Sequence, residues 1–233
     1  MRLGLSSAAA PDLDLGALAE VARRRGLYAL ELRAGDAHGV ALDDSAHWGD
    51  ALAALGSAGV ACAAYRAADG APAAALAALS QALGACVVLA GERAIERAAG
   101  VRTQGGRAAV LVRGADAVGE AETVIAAGAD VAWEADPYAA HVGDQARALL
   151  PMGERLVHVT LVGGGPEVAM QQGQGVGELM GRIALAGWDG AVAVAPSSPR
   201  YRVAWQQWLG RRGGTGCGSK GSDASLVRQL NTV

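Results

Sequence analysis

The side chains best suited to chemistry lie near the downstream ends of short apolar runs. Glu31 and Arg33 stand two apart in LYALELR. On a strand that spacing puts both on one face, where they either pair with each other or reach a ligand. Glu134 and Asp136 repeat the spacing in WEADP. Two neighbouring carboxylates can split their pKa values and divide acid and base work. The rival reading makes Asp136, directly before Pro137, the cap of a following helix, which leaves Glu134 as the functional acid. Arg113 ends VLVR on what reads as the adjacent strand. It either points outward or pairs with Glu134, bringing a permanent charge. His158 and Thr160 share a face in VHVTL, where the bland reading of the histidine is a hydrogen-bonded core group. His38 and His141 fall in loop-like sequence, and His47 opens a helix before Trp48. The resulting expectation gives catalysis to Glu134, Arg113 and Glu31. Substrate contact falls to Arg33, His38, His158, Thr160 and Asp136, with no metal and no cofactor.

Weaker signals sit further along. Gly163–Gly165 could turn backbone N–H groups toward an anion, but no helix starts directly after it, and the chain holds 34 glycines. Gly173-Gln174-Gly175 reads as loop shaping, and Arg200 follows the last strand-like run. Lys220 is the single lysine among 20 basic residues, so an arginine is simply this sequence's usual basic residue.

The positioning elements alternate along the chain. Strand-like runs cover Arg2–Ser6, Leu27–Leu32, Val60–Tyr65, Cys86–Ala90, Ala108–Val112, Val131–Glu134, Leu156–Leu161 and Ala191–Ala195. Helical patterns fill Asp14–Arg25, His47–Ala58, Pro72–Leu83, Glu92–Ala99, Asp116–Ala127, Ala139–Leu150, Val176–Ala186 and Tyr201–Leu209. Gly26, Gly59, Gly84, Gly128 and Gly187 follow helices and precede strands, where a left-handed turn is expected. The strands are continuously apolar, as when protein covers both faces. Strictly alternating strands and helices imply a parallel α/β sheet. Eight units favour a single-domain (β/α)8 TIM barrel over 1–209, with an open doubly wound sheet as runner-up. Gly100–Gly106 reads as loop. The stretch 210–233 reads as a Gly-rich tail ending in a short helix, DASLVRQL. Trp205 and Trp208 form either a partner-facing patch, suited to a homo-oligomer, or a packed helix face.

Charge and composition exclude several classes. A net charge of −3 gives no basic footprint for nucleic acid. Arg23, Arg24 and Arg25 end a helix, where they complement its dipole. Cys62, Cys86 and Cys217 lack metal-ligand spacing, and the first two sit in apolar runs as small hydrophobes. Reduced thiols, a strand in place of a signal peptide at Met1–Ser6, and no bilayer-length apolar run point to the cytoplasm.

MRLGLSS, LGALAEVARRRG and LYALELR, then LVHVT, GQG and LMGRIALAGWDGAVAV, resemble the xylose isomerase-like barrels across about residues 1–209. That group holds sugar and sugar-phosphate isomerases, ketose epimerases and endonuclease IV-type proteins. The resemblance implies a small carbohydrate-like substrate and a divalent metal held by Glu, Asp, His and Glu from the last four strands. Those positions fall here on Arg113, Glu134 (or Asp136), Thr160 and Ala195, while His158 matches a histidine that is usually not a ligand. No acid lies within Ala108–Val112 or Gly190–Arg202, so a register slip does not restore the set. One carboxylate facing an arginine does not bind a hard cation. The implied function is an isomerase/epimerase-like barrel acting without a metal, and the alternative is an inactive barrel that binds a metabolite or a protein. Scarce histidine and an acidic balance set the endonuclease reading aside.

Overall fold

The structure, a computed structural model, describes residues 1–163 and 174–210. Strands and helices alternate throughout: β1 (Arg2–Ser6), α1 (Leu15–Arg24), β2 (Ala29–Arg33), α2 (Trp48–Ala58), β3 (Ala61–Arg66), α3 (Ala73–Leu83), β4 (Cys86–Leu89), α4 (Ala94–Thr103), β5 (Ala108–Arg113) and α5 (Ala117–Ala126). They continue as β6 (Asp130–Ala135), α6 (Val142–Leu149), β7 (Leu156–Gly163), α7 (Gln174–Leu185), β8 (Ala191–Pro196) and α8 (Pro199–Gly210). Every strand pairs in parallel with the next, and β8 returns to β1 through Leu3↔Val192 and Leu5↔Val194. That last pairing closes the sheet into a (β/α)8 barrel and removes the open-sheet alternative. Among the described residues no helix is long and apolar enough to cross a membrane.

Local chemistry explains the boundaries. The Asp14 carboxylate caps α1 by accepting from the Ala17 N–H at 2.8 Å, and Arg23 and Arg24 occupy its last turn, where cations offset the helix dipole. The five helix-ending glycines take φ between 63° and 78°, in the left-handed region that glycine enters without strain. One expected loop, Gly100–Gly106, is helical over its first four residues. α4 runs through Gly100 to Thr103, because a bare Cα at Gly100 lets the helix close on α3, where a Cβ would lie 3.1 Å from the Ala73 methyl.

Alternation along the strands sorts side chains into two clusters. The large one lies between sheet and helices and includes Leu3, Leu5, Leu30, Leu32, Tyr65 and Trp133. Inside the barrel sit Ala64, Cys86, Val88, Ala109 and Ala132, with Leu111 and Val157 against them. Small residues therefore fill the lower interior and leave the upper interior to polar groups. Gly4 belongs to this close packing, since a Cβ there would lie 2.7 Å from the Ala29 carbonyl oxygen. Gly4→Ala is expected to cost about 1–3 kcal/mol through forced separation of β1 and β2. An unchanged urea midpoint would show that the two strands can yield.

Trp205 and Trp208 do not form an exposed patch. Both are buried, edge to face with ring centroids 5.7 Å apart, and the Arg25 guanidinium lies 4.4 Å from the Trp208 ring centre. The homo-oligomer expectation loses its main support with them. Expectations for Cys217, for the tail beyond residue 210 and its closing helix, and for Gly164, Gly165 and Gly173 fall outside the described residues, as does the Arg200 side chain.

Candidate functional site

Polar side chains gather at the ends of the strands, the face on which barrels of this kind carry their chemistry. They form two layers. Deeper lies Glu31, fully buried on β2. Its Oε1 accepts from Ser6 Oγ at 2.8 Å and Arg33 Nε at 3.0 Å. Its Oε2 accepts from His158 Nε2 at 3.0 Å and from the Thr160 hydroxyl, both reaching across from β7. Burial alone would push the Glu31 pKa up. The His158 hydrogen bond, with the Arg66, His158 and Arg33 fields, outweighs burial and holds the carboxyl well below its ordinary value. So deep and so fully hydrogen-bonded a carboxylate is a poor proton acceptor. It is an anchor that orients its neighbours, engaging the Thr160 hydroxyl and His158 Nε2, while His158 Nδ1 is buried with no partner among the described residues.

The upper layer faces the mouth. Register sets Arg33 beside Arg66, and Arg113 beside Glu134. Arg66 Nη2 donates across the barrel to Glu134 Oε2 at 2.7 Å, while Arg113 Nη1 lies 3.8 Å from Glu134 Oε1. The expected Arg113–Glu134 pair is therefore present, but as the looser of two. Arg113 keeps 66% of its side chain exposed, against 16% for Arg66 and 16% for Glu134. Arg33 also bonds Ser6 Oγ through Nε at 3.1 Å, and its backbone N–H reaches Ser7 Oγ at 2.9 Å.

Two expected site residues are engaged by local structure. His38 is buried: Nε2 donates to the Arg33 carbonyl at 2.7 Å and Nδ1 accepts from the Val40 N–H at 3.1 Å. Burial lowers its pKa against the Arg33 carbonyl bond and the field of Asp36, which raise it, and a ring bonded on both sides fixes the loop after β2. Asp136 is exposed and accepts from the Tyr138 N–H at 2.9 Å. It caps a turn built on Pro137 rather than α6, which begins only at Val142. His47 pairs with Asp44 on the surface at 2.6 Å. Cys62 and Cys86 are buried thiols, each pushed up to about 12 by burial, and behave as packing atoms.

Arg66, Ser6 and Ser7 were missed in the sequence. Arg66 stands one residue beyond the run assigned to the third strand, so the strand-end rule that found Arg113 would have found it too.

The metal implied by the resemblance does not fit these residues. Arg113 and Ala195 offer it no donor, the Thr160 hydroxyl is committed to Glu31, and Glu134 is held by two guanidinium groups. Among the described residues no three His, Cys, Asp or Glu side chains converge as a cation requires. A cavity of about 630 Å³ opens at the opposite end of the barrel, beside Arg2, Cys62, Cys86, Arg107 and Asp189. It is remote from the layered polar groups.

No family model matches the sequence, and no curated protein matches it. Solved structures do. A xylose isomerase domain containing protein from Salmonella typhimurium LT2 is 15% identical, with 99% of this chain and 95% of that one covered and a TM-score of 0.61. D-Psicose 3-epimerase from Clostridium cellulolyticum H10, solved with D-tagatose, is 12% identical over 100% and 96% of the two chains, TM-score 0.62. A probable 3-DHS dehydratase from Bacillus anthracis is 8% identical over 90% and 97%, TM-score 0.66. At such identities the likeness is one of architecture: this chain has the (β/α)8 barrel fold shared by xylose isomerase-like domain proteins and sugar epimerases.

Proposed function

We propose that the barrel binds a small carbohydrate-like molecule at its mouth without a divalent metal, with Glu134 accepting from hydroxyl groups and Arg33, Arg66 and Arg113 donating to oxygens. The observation that carries this reading is the cross-barrel Arg66–Glu134 bond of 2.7 Å with Arg113 beside it. It presents fixed donors and an acceptor together on the functional face. Calorimetric titration against pentoses, hexoses and their acid and phosphate derivatives tests it. Saturable binding is expected, weakened about tenfold by Glu134→Gln, the loss of one charge-assisted hydrogen bond. Absence of saturable binding across the series would overturn it.

A second reading adds catalysis, and one observation favours it: Glu134 is a carboxylate at the mouth with guanidinium groups adjacent. One base can move a proton between neighbouring carbons on the same face of an enediolate while the hydroxyl proton passes between the two adjacent oxygens, and cations stabilise that anion. Epimerisation by inversion needs a second acid on the other face, and Glu31 is too deep and too fully hydrogen-bonded to supply it. The activity that suits this site is therefore aldose–ketose isomerisation. Deuterium incorporation from D2O into a bound sugar, lost in Glu134→Gln, would establish it; binding without exchange would leave the mouth a metabolite-binding site.

A further inference from the structure

The mouth carries more positive than negative charge facing a ligand. Glu31 pairs with Arg33 from below and Glu134 pairs with Arg66 and Arg113, so two carboxylates meet three guanidinium groups and one positive charge is left over. Much of their donor capacity is unspent. Arg33 makes its side-chain hydrogen bonds through Nε, leaving both terminal nitrogens without partners among the described residues. Arg66 Nε is buried with no partner, and the Arg113 guanidinium touches Glu134 only at ion-pair distance. A neutral sugar would meet these groups with hydroxyls. A carboxylate or phosphate meets them with paired oxygens that match the guanidinium fork and gains from the surplus charge.

Resting on the binding site proposed above, we infer that the ligand is an anionic carbohydrate, its carboxylate or phosphate held by Arg33 and Arg113, its hydroxyls reaching Glu134 and Arg66. Arg113 stands at a position that the resemblance gives to a metal ligand, so a fixed cationic side chain replaces a carboxylate beside Glu134.

Matched sugars separate the possibilities. D-glucose, D-glucuronate and glucose 6-phosphate differ only at C6, and the corresponding pentose series differs in the same way. Calorimetry on the full chain at low and high salt is expected to show an acid or a phosphate binding at least about tenfold tighter than its neutral sibling. That preference should shrink as salt screens the charges. Arg113→Gln, a change at a mostly exposed position that the fold tolerates, should abolish most of the preference by weakening the charged sugar far more than its neutral sibling. Arg113→Lys should restore part of it. The acid and phosphate arms identify which anion the mouth takes. Neutral sugars binding as tightly as charged ones would overturn the inference and leave the binding site standing. Binding of none would overturn the site itself. A preference that survives both Arg113→Gln and Arg33→Gln would place the anion elsewhere and overturn the assignment.

Discussion

Glu31→Gln should unfold about 3–5 kcal/mol more readily than the unsubstituted protein at neutral pH, the scale expected when one partner of a buried charge network is removed. For a chain of this size that lowers the melting temperature by about 10 °C. The cause is geometric as well as electrostatic. Ser6 Oγ, Arg33 Nε, His158 Nε2 and the Thr160 hydroxyl all donate to the two carboxylate oxygens. An amide would turn its own N–H groups against two of those donors and leave the Arg33 charge without its deep partner. The pH dependence is a sharper test. Because the folded pKa of Glu31 is depressed, its stabilisation is complete above the unfolded carboxyl pKa of about 4.3 and is lost as pH falls through the lower folded value. The variant cannot titrate there. Its deficit should be widest above about pH 5 and narrow steadily in acid. Urea midpoints across that range check this. A deficit that stays constant into acid would mean the loss is one of packing, and that Glu31 is not the charged anchor of the barrel.

That anchor shows where sequence reasoning holds and where it stops. Strand and helix order was legible because apolar runs, helical periods and terminating glycines agree locally, as at Gly59 and Gly84. Closure through Leu3↔Val192 followed from the number of units alone. Pairing between Glu31 and Arg33 was readable from their spacing of two. Contacts across the barrel were not readable, since His158 Nε2 meets Glu31 over 127 residues and Arg66 meets Glu134 over 68. No local pattern encodes which inward side chains will touch. The same limit explains His38 and Asp136. Both lie near strand ends, but each is captured by a backbone group within a few residues, and that competition depends on the loop path. Arg66 stands one residue past its expected strand, as Arg33 and Arg113 do past theirs, so its place at the mouth is legible by the same rule although its partner is not.

Trp205→Ala should cost about 3–5 kcal/mol, comparable to the loss of Glu31 but from a different source. Trp205 is fully buried on α8, and its neighbour Trp208 is nearly so. Removing the indole leaves a cavity between α8 and the barrel wall that the edge-to-face partner 5.7 Å away cannot fill without leaving the Arg25 guanidinium stacked upon it. Val203→Ala, at an exposed site on the same helix, should change stability by no more than about 0.5 kcal/mol. Denaturant unfolding of the pair separates a packed helix from a partner-facing one, because a surface tryptophan would behave like Val203. The deficit should also reach the mouth. α8 packs against β8 and against the short helical turn Ser7–Ala9, and Ser7 is the residue whose hydroxyl receives the Arg33 backbone N–H. A loosened α8 therefore frees the segment that holds the end of β2, and ligand affinity should fall in Trp205→Ala even well below its melting temperature. Unchanged affinity would show that Glu31 and Ser6 fix Arg33 without help from the outer helix.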